Sequence, residues 1–390
     1  MRRVRLVLVL ALVVGPALVV GLAPGAGAAT TRGAAGFYDP PSPLPRKPPG
    51  TIIRTVPIAA PAGAKAWKVL YHSRSVDGRD IAVSGVVVAP TGAAPKDGRT
   101  VLLWAHGTTG LADQCAPSKV PEAAKDLPYI DDLVKMGYVV AATDYEGLGT
   151  PGVHPYLVGE SEGRGVLDAA RAAKNLADTH ANDDVLVFGH SQGGQAALFA
   201  GELAASYAPE LKVLGVAAAA PAADVDQILP LAGSIPNAAG FLVMAVEGFH
   251  AAYPDADPAA VLTPAALAKA EFATTQCAGA ALQAFSDTTG TVLAHDPRSI
   301  PSVQQLLHEN SAGNRPAGAP LLVVQGSADT TIPQSLTDAW TTKACAIGDT
   351  VDSMIYPGAT HSTVIAAARS DVLSWLADRA AGTPAPSTCS

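Results

Sequence analysis

DVLVFGHSQGGQAAL, residues 184–198, is the stretch that decides the fold. Apolar residues run into Gly189-His190-Ser191-Gln192-Gly193, and an alanine-rich segment follows at once. Glycine has no Cβ and tolerates positive φ, so a glycine on each side of Ser191 permits a very sharp turn. Strand, tight turn and helix in that order push the serine hydroxyl out of the sheet, as in a nucleophile elbow. G-x-S-x-G also arises by chance in chains rich in small residues. The strand before it and the helix after it make the reading specific.

Outward from the elbow, VLLWAHG (101–107), YVVAATD (138–144), KVLGVAAAAPA (212–222) and PLLVVQGSAD (320–329) are continuous apolar runs. Such runs suit strands buried on both faces of a mainly parallel sheet. Helical segments at 160–178 and 192–208 alternate with them, which predicts a doubly wound α/β sheet. AWKVLYHSRS (66–75) and DIAVSGVVVAP (80–90) read as paired strands turning at Asp77-Gly78. The Pro-rich segment 37–62 reads as an extended arm. The alternation stops after Ala222 and resumes only at 320. Residues 223–318, Pro-punctuated and helical in pattern, are expected to form an inserted cap over the strand ends. SVQQLLHENSAG (302–313) within them reads as a helix closed by Gly313. A last strand near DSMIYPG (352–358) leads to a helix at 362–382, whose Ile365, Ala368, Val372, Trp375 and Leu376 share one face.

The first residues carry an export address. Arg2, Arg3 and Arg5 precede the apolar run 6–23, and Ala26-Gly27-Ala28 supplies a small-residue cleavage pattern. A membrane anchor is the competing reading, but Pro16 and the cleavage pattern favour removal of residues 1–28 and secretion of the domain 29–390. Charged residues make up only 15% of the chain, and the net charge of −8 argues against nucleic acid as a partner. Cys115, Cys277, Cys345 and Cys389 include no C-x-x-C pair. In an exported chain four cysteines imply two disulfides, with three connectivities open. His72, His154, His180, His250, His295 and His308 form no H-x-H or H-x-x-x-H pair, so no metal or other cofactor is expected.

A serine hydroxyl needs a base, and the base needs an orienting carboxylate. In this fold they follow in the order Ser, Asp or Glu, His, at the carboxyl ends of strands. Asp329 in GSADTTIP and His361 in GATHSTV stand just after the two last strands. The plainer alternatives are a turn at Asp329 with Thr330 and Thr331, and a helix start at His361. His190 is too close to the elbow to reach back as base. Oxyanion donors are expected from the backbone N–H of Gln192 and, through AHGTTG (105–110), of Thr108.

These segments carry a resemblance. FYDPPSPLP, AHGTTGLADQCAPS, TDYEGLGTPGVHPYLVG, GHSQGGQAAL, QGSADTTIP and GATHSTV together resemble the secretory lipase family, typified by yeast lipase A, in its actinobacterial form. The resemblance implies an α/β-hydrolase with a helical cap that hydrolyses fatty-acid esters. It puts the triad on Ser191, Asp329 and His361, the oxyanion donors on Thr108 and Gln192, and disulfides on Cys115–Cys277 and Cys345–Cys389. It also implies a lipid or ester substrate, possible contact with a lipid surface, and no obligate protein partner. The yeast members carry a long flap-forming tail after the histidine, whereas here 362–382 is mostly one helix. An open entrance, with no jump in activity at an oil–water interface, is the expectation.

The expected function is that of a secreted lipase or carboxylesterase for medium to long acyl chains, triacylglycerol included, acting through an acyl-enzyme. Short-chain esterase, acyltransferase and idle lipid carrier are the alternatives. AAGFLVMAVEGFHAAY (238–253) is either the cap's own core or the wall of an acyl tunnel.

Overall fold

The computed structural model describes residues 36–232, 238–286 and 292–389. The expected signal segment 1–28 lies outside them. Nine strands form one sheet: β1 (Ile52–Ile58), β2 (Ala64–Arg74), β3 (Asp80–Pro90), β4 (Arg99–Ala105), β5 (Val139–Thr143), β6 (Ala181–His190), β7 (Lys212–Ala219), β8 (Leu321–Gly326) and β9 (Val351–Tyr356). Their order is β1-β2-β3-β5-β4-β6-β7-β8-β9. The first three pair antiparallel and β3 pairs antiparallel with β5; from β5 to β9 every pairing is parallel.

Alternation along the parallel strands feeds two cores. Val101, Leu103 and Ala105 of β4 pack on one side with Val166 and Leu167 of α2 (Gly159–Lys174) and Leu198 and Phe199 of α3 (Gln192–Tyr207). Leu102 and Trp104 face the other side. There they meet Leu133 and Val134 of α1 (Ile130–Lys135) and Val372, Trp375 and Leu376 near the carboxyl end. This two-sided burial is why the strands read as unbroken apolar runs.

Three expectations need correction. The arm at 37–62 contains β1, an edge strand paired with β2. Its Pro57 is tolerated because an edge leaves one row of N–H groups outside the ladder. The final helix is two helices, Val364–Ala367 and Arg369–Ala380, divided at Ala368. The helix expected over 302–313 spans Pro301–Glu309, and Gly313 (φ 83°) lies in the turn beyond it.

Between β7 and β8 the described residues form α4 (Val225–Ala232), α5 (Ala239–Ala252), α6 (Pro264–Leu267), α7 (Glu271–Thr275), α8 (Ala278–Ser286) and α9 (Pro301–Glu309). This insert has its own apolar cluster, including Leu242, Val243, Met244, Phe249, Phe285 and Leu307. After β8 come α10 (Gln334–Ala346) and then, past β9, α11 (Val364–Ala367) and α12 (Arg369–Ala380). No helix among the described residues is long and apolar enough to cross a membrane.

Cys115 is bonded to Cys277, and Cys345 to Cys389. The second bridge ties α10 to the last described residues across a sequence separation of 44. Closing a loop of that length removes unfolded-state entropy worth about 4 kcal/mol. The double variant Cys345→Ser/Cys389→Ser should therefore lose up to about 4 kcal/mol in urea unfolding, with the denaturant slope unchanged apart from the released crosslink.

Candidate active site

β6 ends at His190 and α3 starts at Gln192, so Ser191 alone makes the turn, at φ 58° and ψ −119°. Such a conformation costs a side-chain-bearing residue on the order of 1–3 kcal/mol. Backbone bonds hold it there. Ser191 N–H donates to the Ala219 carbonyl at 2.9 Å, and the Ser191 carbonyl accepts from the N–H groups of Gly194, Gln195 and Ala222. The flanking glycines are required by contact. A Cβ on Gly189 would lie 1.9 Å from the Gly193 carbonyl oxygen, and one on Gly193 2.0 Å from that of Ala105.

The serine hydroxyl donates to His361 Nε2 at 2.9 Å, and His361 Nδ1–H donates to Asp329 Oδ2 at 2.7 Å. Asp329 Oδ1 accepts the N–H groups of Thr331 (2.8 Å) and Ile332 (2.9 Å). Burial pushes the Asp329 carboxyl up. The bond to His361, its charge and the two N–H groups outweigh that and hold it below the ordinary value. A turn residue needs only the Oδ1 contacts; the Oδ2 contact is the additional feature. His190 does not face the hydroxyl. Its Nε2–H donates to the His361 carbonyl at 2.9 Å, and burial, then the neighbouring His361, pulls it down to about 4. It is neutral at pH 7 and props the histidine loop.

A Cβ on Gly107 would stand 3.7 Å from Ser191 Cβ, which brings the following residue, Thr108, beside the serine. Gln192 is the first residue of α3, where N–H groups have no partner within the helix. Among the described residues, neither Thr108 N–H nor Gln192 N–H donates to a protein acceptor. Two donors are thus left free next to one nucleophile-type side chain.

Two spaces meet at Ser191. A cavity of about 460 Å³ is lined by His361, Thr108, Trp104, Leu127, Phe241 and Leu282, among others. A narrower slot is lined by Tyr156, Ala222, Leu229, Phe241 and Ile332, with Ser191 again at its wall. Phe241 stands at both. The apolar segment 238–253 is thus not one uniform face. Leu242, Val243, Met244 and Phe249 lie in the insert's core, while Phe241, packed against that core, also lines both spaces. No group of three or more His, Cys, Asp or Glu among the described residues could hold a metal ion.

Residues 115–388 match the secretory lipase family. The chain belongs to that family. It is similar to a secreted triacylglycerol lipase of Malassezia globosa, 26% identical over 394 residues, covering 90% of this chain and 82% of the relative. It is also similar to a Mycobacterium tuberculosis protein named "Probable inactive lipase", 25% identical over 376 residues, covering 89% and 82%. Candida antarctica lipase A shares the fold at TM-score 0.75 and 20% identity, over 90% of this chain and 87% of the other. The fold is that of an α/β-hydrolase. Family membership supports lipase or esterase activity.

Sequence reasoning missed a buried polar layer behind the family's elbow. Gln325 Nε2 donates to Asp329 Oδ2 at 3.1 Å and is itself fixed by Thr337. The Gln192 side chain donates to His154 Nε2 at 2.7 Å and to Glu162 Oε1 at 2.8 Å. Its signal was available: Glu162 is followed at helical spacing by buried Val166, Ala169, Ala170 and Ala173, so it sits on an apolar face.

Burial pushes the Glu162 carboxyl up to about 8 against the N–H groups of Gln192 and Leu157. His154, which burial lowers to about 3, and Tyr145 and Tyr156, both raised by burial, do not titrate between pH 5 and 8. The folded chain keeps a proton on Glu162 that the unfolded chain releases above about 4.5, so this carboxyl lowers stability as pH rises from about 4.5 to about 8. Glu162→Gln has nothing to titrate. Its stability relative to wild type should improve from about pH 5 to about pH 8 and level off above, read from urea midpoints. A constant difference across that range would contradict the assignment.

Proposed function

We propose that this chain is a serine lipase or carboxylesterase that works through an acyl-enzyme. Ser191 Oγ attacks the ester carbonyl carbon while His361 Nε2 takes its proton, and Asp329 steadies the resulting imidazolium. The developing oxyanion is met by the N–H groups of Thr108 and Gln192. As the C–O bond breaks, His361 returns the proton to the leaving alcohol. Water then repeats the sequence on the acyl-serine and releases the acid. The observation that carries this reading is the unbroken line Ser191–His361–Asp329, at 2.9 and 2.7 Å.

That line also weighs against an idle carrier, the reading a relative named as inactive keeps in view. A lipid carrier has no use for a strained serine bonded to a carboxylate-backed histidine. Secretion fits the name of the Malassezia relative and the two disulfides, which persist in oxidising compartments.

The two spaces suggest which half of the substrate goes where. The group that protonates the leaving alcohol must stand next to it, and His361 lines the wider cavity. The alcohol belongs there. The acyl chain is then assigned to the apolar slot past Phe241 and Leu229, beneath residues 223–318 acting as the cap. Each methylene buried in such a slot is worth about 0.8 kcal/mol.

Labelling with a fluorophosphonate should fall on Ser191. Ser191→Ala should lower p-nitrophenyl ester hydrolysis by at least about 10³-fold, and Asp329→Asn by a comparable factor. Activity of Ser191→Ala within tenfold of wild type refutes the mechanism. Glycerol ester in place of free acid among the products would make the enzyme an acyltransferase. On p-nitrophenyl esters kcat/KM should climb from acetate to at least octanoate before levelling, with triglyceride hydrolysis measurable but not dominant. A preference for acetate over octanoate would leave the slot without an acyl role.

A further inference from the structure

Gln192 combines two features that do not usually meet. Its N–H is one of the two free donors beside Ser191, yet its side chain turns away from both cavities and is buried. A buried carboxamide is costly unless each of its hydrogens finds an acceptor. Both do here, on His154 Nε2 (2.7 Å) and Glu162 Oε1 (2.8 Å). The acceptor side is itself fixed. His154 Nδ1 lies 2.8 Å from the Glu146 carbonyl and must donate to it, which leaves Nε2 as the acceptor. Glu162 Oε1 also accepts Leu157 N–H at 2.9 Å.

The same short segment reaches the other donor. Tyr156 OH is hydrogen bonded to Thr108 Oγ1 at 2.8 Å. Tyr156 is held from behind by the insert: a Cβ on Gly248 of α5 would fall 2.5 Å from the Tyr156 backbone nitrogen. Residues 154–157 thus touch Thr108 on one side and, directly and through Glu162, Gln192 on the other. Those two residues belong to different elements, the loop after β4 and the start of α3.

We propose that His154, Tyr156 and Glu162 are positioning residues that fix the spacing of the two oxyanion donors, Thr108 and Gln192. The proposal rests on the reading of Ser191 as nucleophile. It assigns these residues no contact with the reacting atoms. An oxyanion hole works because its donors are already aimed when charge develops, and losing one such donor costs about 10²–10³ in kcat. Displacing a donor should cost part of that, and should do so in the transition state far more than in substrate binding.

The test uses the full-length enzyme. Tyr156→Phe keeps the ring that lines the slot and deletes only the hydroxyl. Gln192→Leu and Glu162→Leu delete the other tie, and Glu162→Gln restores an acceptor oxygen. Rates on p-nitrophenyl octanoate are taken per active site titrated with fluorophosphonate, alongside Ki for a trifluoromethyl ketone of the same chain length, which forms an oxyanion on Ser191. Tyr156→Phe should lower kcat about tenfold or more with KM within about twofold, and Ki should weaken in proportion to the loss in kcat/KM. Gln192→Leu should lose at least as much, and Glu162→Gln should recover most of what Glu162→Leu loses. If the leucine variants do not fold, Tyr156→Phe decides alone. Per-site kcat and Ki within twofold of wild type in Tyr156→Phe overturn the proposal, as does a loss confined to melting temperature and titratable fraction. An active Ser191→Ala would instead overturn the reading beneath it.

Discussion

The site depends on one close approach, that of backbone carbonyls and glycines at the end of β6. Gly193 presents its carbonyl where a Cβ of Gly189 would be, and Ala105 presents its own where a Cβ of Gly193 would be. β4, β6 and α3 are thereby locked at distances no other residue allows. Ser191 follows as a strained single-residue turn, held by Ala219 of β7 and by the first turns beyond it. One peptide then serves two ends: it carries the hydroxyl outward and leaves the next N–H, that of Gln192, beside it. The strain is local, while the bonds that resist it draw on the centre of the sheet.

Charge in the site is arranged by asymmetry. Asp329 is held below the ordinary carboxylate value by donors that converge on both oxygens. Glu162, more deeply buried, meets donors on one oxygen only, and its Oε2 has no partner among the described residues. Burial then wins and the proton stays on. Two carboxyl groups of one chain thus hold opposite states at pH 7: burial prevails at Glu162, while the bond to His361, its charge and the N–H groups prevail at Asp329. The neutral Glu162 matters to its neighbour: a carboxylate there would set a buried negative charge behind Gln192, whose N–H is the proposed oxyanion donor. His190, also neutral, spares His361 a second cation at 4.7 Å between ring centres.

Most of this frame was legible because it is local. Strands buried on both faces announce themselves as apolar runs, and a serine flanked by glycines at a strand–helix junction suits little besides an exposed nucleophile. Asp329 and His361 could be placed because β8 and β9 end just before them. What escaped was whatever depends on a distant partner. β1 is a strand only because β2 offers it an edge, and nothing in its Pro-containing sequence says so. In 238–253 the apolar residues suit either fate, and periodicity assigns faces without saying what each face meets. Glu162 and His154 were visible as polar residues in apolar company, but their partner, Gln192, is 30 and 38 residues away in sequence.

The insert is joined to the chemistry at a specific place. Cys277 is bonded to Cys115, Ala278 N–H donates to the Thr109 carbonyl at 2.8 Å, and Gln114 Nε2 donates to the Thr275 carbonyl at 2.6 Å. The residue after Thr108 is therefore stitched to the start of α8. From α8 the contact continues, since a Cβ on Gly240 of α5 would lie 2.8 Å from Leu282 Cα. Phe241, next in the chain, is the side chain standing between the two spaces at Ser191. A path of close contacts thus runs from the proposed oxyanion donor Thr108, through a disulfide-secured loop contact and a helix pair packed without room for a methyl group, to a residue that lines both spaces. Packed interiors pass displacement along such paths rather than absorbing it. Widening the slot by moving α5 as a body would drag α8 and the Thr109 loop with it. Side-chain rotation of Phe241, or movement of α4 across the slot at Leu229, leaves Thr108 where it is. Those two movements reshape the slot and leave the Thr108 loop in place.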